Sequence, residues 1–158
     1  MAVDRRSPAR RWAALGCAVL VTLGLGGCSR TVAMTDPTPS PSVRQQCAEV
    51  MADLPATVLD QPRRTVEPGT LSAAWGDPTI TLKCGVEKPP GLGDASECFE
   101  VNGVGWFAEE AEGGYLFTTI GRSAYVQVGV PTEYAPEANA LVDVAEAVKK
   151  TPEKQACV

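Results

Sequence analysis

The sequence predicts an α+β domain: a four- or five-stranded, mostly antiparallel sheet with one helix before it and one after it, both packed on one face, held by two disulfides. Three observations carry this. Apolar stripes at helical spacing stand near both ends of the chain, strand-like runs separated by turn signals fill the middle, and four cysteines remain once Cys17 of an export signal and a lipid-bearing Cys28 are set aside.

Each element follows in order. Val43, Cys47, Val50, Met51 and Leu54 fall at helical spacing and place Cys47 on the apolar face of a first helix, which Leu54-Pro55 ends. Leu71 to Trp75 reads as a strand, Gly76-Asp77-Pro78 as a turn and Thr79 to Cys84 as a second strand. Pro89, Pro90, Gly91 and Gly93 make residues 85–97 a loop. Cys98 to Phe107 is the next strand, broken by Gly103 and Gly105, and Glu109 to Gly114 is an acidic turn. Tyr115 to Ile120 and Ala124 to Val130 complete the sheet, the last with Val126, Val128 and Val130 on one face. A closing helix is expected from about Pro136 to Lys150, with Pro136 at its start, Lys149-Lys150 at its end and a stripe of Leu141, Val142, Ala145 and Val148. Residues 43–158 are thus long enough for one core, which the disulfides supplement.

The N-terminus predicts export. Arg5, Arg6, Arg10 and Arg11 precede an apolar run from Trp12 to Leu25, so residues 1–27 read as a cleaved signal peptide. The run is shorter than the roughly 20 apolar residues of a membrane span and is interrupted by glycines. Leu25-Gly26-Gly27-Cys28 resembles the bacterial lipobox, in which the cysteine thiol receives a diacylglyceryl group carrying acyl chains such as palmitate. More than one acyl chain gives stable attachment, so Cys28 is expected to hold the protein on the outer, extracytoplasmic face of the cytoplasmic membrane. Arg10-Arg11 also permits a twin-arginine route. Residues 28–42, with Pro37, Pro39 and Pro41 alternating with Thr and Ser, read as an extended tether. Loss of four arginines and Asp4 takes the net charge from −5 to −8, so the domain is expected to stand off anionic lipid.

In an oxidising compartment Cys47, Cys84, Cys98 and Cys157 predict two disulfides. Cys84 alternates with Ile80 and Leu82 on the apolar face of its strand, whereas Cys98 has the opposite parity to Phe99 and Val101. That favours Cys47–Cys84 with Cys98–Cys157. A bulge near either strand cysteine would instead permit Cys84–Cys98 with Cys47–Cys157.

The chain has no histidine, which removes the commonest general base, the usual zinc ligand and every Ser-His or Cys-His nucleophile. With no Cys-x-x-Cys pair either, no metal and no cofactor is expected, and no catalytic residue is assigned. The acidic balance argues against a nucleic-acid partner. Glu109, Glu110 and Glu112 beside Trp106 and Phe107 are the most suggestive acid/base cluster, but a glycine-ended turn favours a hydrated hairpin tip. Asn102-Gly103-Val104-Gly105-Trp106-Phe107 offers Trp106 as a stacking platform, or else a tight turn with its aromatics in the core. Arg63-Arg64 and Arg122 are scarce cations in an acidic chain. The candidate binding surface is Trp106, Tyr125 and Arg122.

Residues 47–55 (CAEVMADLP), 82–86 (LKCGV), 104–107 (VGWF) and 124–131 (AYVQVGVP) together resemble an actinobacterial envelope-protein family known as domain of unknown function 3515. The resemblance implies a secreted or lipid-anchored protein and supplies no catalytic residue. The expected function is a non-enzymatic binding or interaction module of the cell envelope, monomeric, with an envelope protein or wall component as partner. The alternatives are a carboxylate enzyme acting on envelope glycans through two of Glu100, Glu109 and Glu110, and a small-ligand carrier.

Overall fold

The computed structural model describes residue 1, residues 31–93 and residues 96–157. The signal segment and Cys28 lie outside the described residues. The elements are β1 (Val32–Met34), α1 (Pro41–Asp53), β2 (Thr57–Val58), β3 (Gln61–Arg64), β4 (Val66–Pro68), β5 (Ser72–Trp75), β6 (Ile80–Val86), β7 (Phe99–Val101), β8 (Val104–Ala111), β9 (Gly114–Thr119), β10 (Tyr125–Pro131) and α2 (Ala140–Val148).

The architecture is α+β, with two helices and a mostly antiparallel sheet, but the main sheet has eight strands rather than four or five, in the order β2-β3-β5-β6-β10-β9-β8-β7. Two differences produce the larger number. Asn102 and Gly103, both at positive φ, fold the expected strand Cys98 to Phe107 into the β7–β8 hairpin. The other is the short β2–β3 hairpin over Thr57–Arg64, whose Leu59-Asp60 turn also has both residues at positive φ. Asp143 on α2 accepts from the Leu59 N–H at 2.8 Å, which holds that turn against the helix.

Period-two alternation builds one buried face. Val126 pairs with Cys84 and Val128 with Leu82, and together with Trp75, Ile80, Phe117, Val104 and Trp106 they meet Cys47 and Val50 of α1 and Leu141, Val144 and Val148 of α2. α1 forms because Ser40 caps it, its Oγ accepting from Val43 N at 3.4 Å, with Pro41 in the first turn, and it ends where Leu54 turns extended before Pro55. α2 starts at Ala140, four residues later than expected, because Thr132–Tyr134 and Glu137–Asn139 form short 3-10 turns around Pro136. Its buried stripe includes Leu141, Val144, Ala145 and Val148; Val142 is 49% exposed, one position off that stripe.

The disulfides are Cys47–Cys84 and Cys98–Cys157, with Cα–Cα distances of 5.5 and 5.8 Å. The first staples α1 to the buried face of β6. The second lies across the other face, where a Cβ added to Gly105 would meet both of its sulfurs.

The tether expectation is corrected for residues 31–42. β1 pairs in parallel with β4, Val32 N donates to Thr65 O at 2.8 Å, and Met34 is buried. The Asp36 carboxylate accepts four hydrogen bonds, from Thr70 N (2.5 Å), Thr70 Oγ1 (3.0 Å), Leu71 N (2.9 Å) and Ser72 Oγ (2.8 Å). Pro39 lies over Gly85, where an added Cβ would fall 2.8 Å from Pro39 Cγ. Proline and threonine do favour an extended chain here, but the Val32 N–H, the Met34 carbonyl and the Asp36 carboxylate find partners on the body of the domain, so it packs instead of floating.

Candidate functional site

Tyr125 stands at the start of β10, where the pairing with β6 slips by a residue between Tyr125 and Val126. Two concavities flank it. The first, about 590 Å³, is walled by Asp36–Ser40, Val43, residues 85–88 and residues 123–125. The second, about 420 Å³, is walled by Leu92, Ser96, Arg122, Lys154 and the Cys98–Cys157 disulfide. Lys88 and Tyr125 line both, so the two adjoin at these side chains as the lobes of a groove. Pro39, Val43 and Val86 supply apolar surface at one end, beside the Asp36 and Glu87 side chains, Arg122 and Lys154 put positive charge toward the other, and Lys88 stands between.

The walls are well braced. Ser123 Oγ donates to Gln46 Oε1 of α1 at 2.7 Å, and Ser123 N donates to Pro152 O at 2.9 Å. Arg122 donates through Nη1 to Thr151 O and through Nη2 to Gly103 O at 3.2 Å, while Lys154 and Gln155 donate their backbone N–H groups to Gly121 O. The C-terminal residues are thereby strapped along the β9–β10 connection as far as Cys157. Burial pulls the Arg122 guanidinium below its ordinary pKa, and the Glu153 charge opposes that shift. Arg122 is therefore a brace of the groove wall, with two of its donors spent on carbonyls.

Of the three residues expected to form a binding surface, the structure brings together Tyr125 and Arg122 and removes Trp106. Trp106 is fully buried on the helix-facing side of β8, opposite Thr119, so it presents no platform. Alternation along β8 explains this, since Val104 and Trp106 share the inward parity. Its indole Nε1 has no hydrogen-bond partner among the described residues.

The carboxylates do not converge. β8 runs on through Glu109 and Glu110, so only Glu112 sits in the turn. Glu100 pairs with Gly105, four residues before Glu109 on the same face, which separates the two by about 13 Å along the strand. Paired glycosidase carboxyls stand about 5–9.5 Å apart. Glu110 points to the other face and accepts from Tyr115 Oη at 3.1 Å, an interaction that pushes the Tyr115 hydroxyl pKa up. Arg63 and Arg64 lie away from the groove: Arg64 Nη1 donates to Gly76 O and Thr79 Oγ1, and the Arg63 guanidinium stands 5.9 Å from the centre of the Trp75 ring. Among the described residues no group of three or more His, Cys, Asp or Glu could hold a metal ion, and no helix is long and apolar enough to cross a membrane.

Sequence reasoning missed Lys88, Lys154 and the wall from Asp36 to Ser40. One signal for that wall was present, because Ser40-Pro41 is a helix cap followed by a first-turn proline, which ties the preceding residues to α1.

A family model described as protein of unknown function matches residues 12–157. The chain belongs to the DUF3515 family. No curated protein and no solved structure matches it. In this DUF3515 chain the matched span takes in both disulfides and every wall of the groove.

Proposed function

We propose that this DUF3515 protein is a lipid-anchored, extracytoplasmic binding module of the cell envelope, exported on residues 1–27, attached through Cys28, and taking its ligand in the groove past Tyr125. The observation that carries the reading is the groove itself: a braced concavity in two adjoining lobes with Tyr125 and Lys88 between them, apolar surface at one end and Arg122 and Lys154 at the other. Such lining suits an extended segment with an apolar portion and an acidic group, from an envelope protein or a wall component. The two disulfides are consistent with an oxidising compartment. A glycan hydrolase acting through Glu100, Glu109 and Glu110 has less support, because those side chains are spread over two strands and both faces of the sheet.

The test is photo-cross-linking in cells from a reactive amino acid at Lys88, with the same group at Glu112 as the distant control, followed by mass spectrometry. An adduct specific to Lys88 that weakens in Tyr125→Ala and vanishes in Cys28→Ala supports the reading. Equal labelling from both positions would overturn it.

A further inference from the structure

We infer that the β1–β4 ribbon is the surface by which the domain meets anionic lipid headgroups, held against them by a chain too short to let it stand away. The inference rests on the proposed lipidation of Cys28 and deepens it. Because β1 begins at Val32, three residues, or four Cα–Cα steps, separate the anchor from a paired backbone. At full extension these four steps span at most about 14 Å. The acyl chains must lie in the hydrocarbon, and the headgroup layer takes up about 5–8 Å of that reach. A free tether running to Ser42 would have allowed about 50 Å.

The geometry of the ribbon says which side faces the bilayer. The N–H of Val32 donates to Thr65 O, so the incoming chain enters beside Thr65 and next to Arg63 and Arg64. These two arginines line a shallow cleft with Val66, Gly69 and Met51. Arg63 is exposed, and Arg30 precedes the entry point in sequence. The chain carries an excess of acidic residues, so the exposed Arg63 beside the entry point turns positive charge to the lipid, opposed on the ribbon by the exposed Glu67. Repulsion from the remaining carboxylates fades within a Debye length of about 8 Å at physiological salt. Asp36 keeps the arrangement closed, since its four hydrogen bonds stop residues 31–40 from peeling off and lengthening the leash.

The experiment uses the full-length protein, purified from membranes and placed in phosphatidylglycerol vesicles that carry a headgroup nitroxide. A genetically encoded fluorophore is placed at Thr65, or at Glu112 in the β8–β9 turn, four strands across the sheet from β5. Emission from Thr65 should be largely lost and emission from Glu112 retained. A flexible insert of about 20 residues between Arg30 and Thr31 should restore the Thr65 signal while the protein still floats with the vesicles. Arg63→Glu should restore part of it on phosphatidylglycerol and none on phosphatidylcholine. The mass of the N-terminal peptide reports lipidation separately. An unmodified Cys28 would sink the anchor and this inference together, whereas a lipidated protein with Thr65 unquenched, or with both positions quenched alike, would overturn the inference alone.

Discussion

Removal of the two disulfides separates the entropic from the packing contribution of each. Cys47 and Cys84 stand 37 residues apart, and Cys98 and Cys157 stand 59 apart, in two loops that do not interleave. The chain-entropy relation assigns about 3.8 kcal/mol to the first and about 4.2 kcal/mol to the second. Loop length alone therefore ranks Cys98–Cys157 as slightly the more stabilising. Burial reverses that order: Cys47 and Cys84 are both at 0% exposure inside the core, while Cys98 and Cys157 are half-buried on the other face. Truncating two buried sulfurs adds roughly 1–2 kcal/mol for lost contacts and cavity. The Cys47→Ala/Cys84→Ala protein should lose about 5–6 kcal/mol, comparable to the whole stability of a small domain, and the Cys98→Ala/Cys157→Ala protein about 4 kcal/mol. Urea unfolding of the soluble Cys28→Ser protein, followed by far-ultraviolet circular dichroism, measures both against the parent. A larger loss for the Cys98/Cys157 variant, or a loss under about 1 kcal/mol for either, would refute the assignment of their energetic roles.

Trp106→Ala should cost about 3–5 kcal/mol in the same unfolding assay, as expected for a core aromatic, and a folded variant of parental stability would contradict its burial. Gly85→Ala should free residues 31–40 to protease, because φ is +85° and the new Cβ would strike Pro39; unchanged cleavage kinetics would count against the packed segment. Asp36 is the acid-sensitive point: burial pushes its pKa up, but hydrogen bonds from Thr70, Leu71 and Ser72 bring it below the ordinary 3.8. Its contribution is therefore complete above that value and lost as pH falls through the lower folded one, so protease sensitivity of residues 31–40 should be flat from pH 7 to about 5 and rise only below about 4, a rise that Asp36→Asn shows at every pH. Lys150→Ala removes an exposed 2.8 Å pair with Asp53 and should change stability by less than about 1 kcal/mol.

Much of the fold could be read from periodicity because its periodic elements bury a single face. Val126, Val128 and Val130 alternate cleanly, and the parity of Cys84 against Cys98 directs the two sulfurs to opposite sides of the sheet. The β2–β3 hairpin was invisible for the opposite reason. Gln61-Pro62-Arg63-Arg64 carries no alternation, and its turn uses Leu59 and Asp60 at positive φ, where sequence rules expect glycine or asparagine. Its turn is held by Asp143, more than eighty residues away, and its second strand by pairing with β5, and no local pattern reports such contacts.

The misread tether and the half-read site share one physical cause. Proline, serine and threonine in alternation specify an extended chain without specifying whether it is solvated or paired, because both states use the same backbone dihedrals. What decides is a partner with free hydrogen-bonding groups. Here the partner is Val66-Glu67-Pro68 together with the turn at Thr70-Leu71, and neither has a strand pattern of its own. Asp36 is the residue that converts extension into packing, since one carboxylate takes four donors, two of them backbone N–H groups. The same segment then becomes a wall beside Tyr125, so the groove stayed hidden from the sequence for as long as its wall did. Tyr125 and Arg122 could be singled out because an aromatic and a cation are conspicuous in an acidic chain. Trp106 was conspicuous in the same way, and only its parity with Val104 separates a core residue from a surface one.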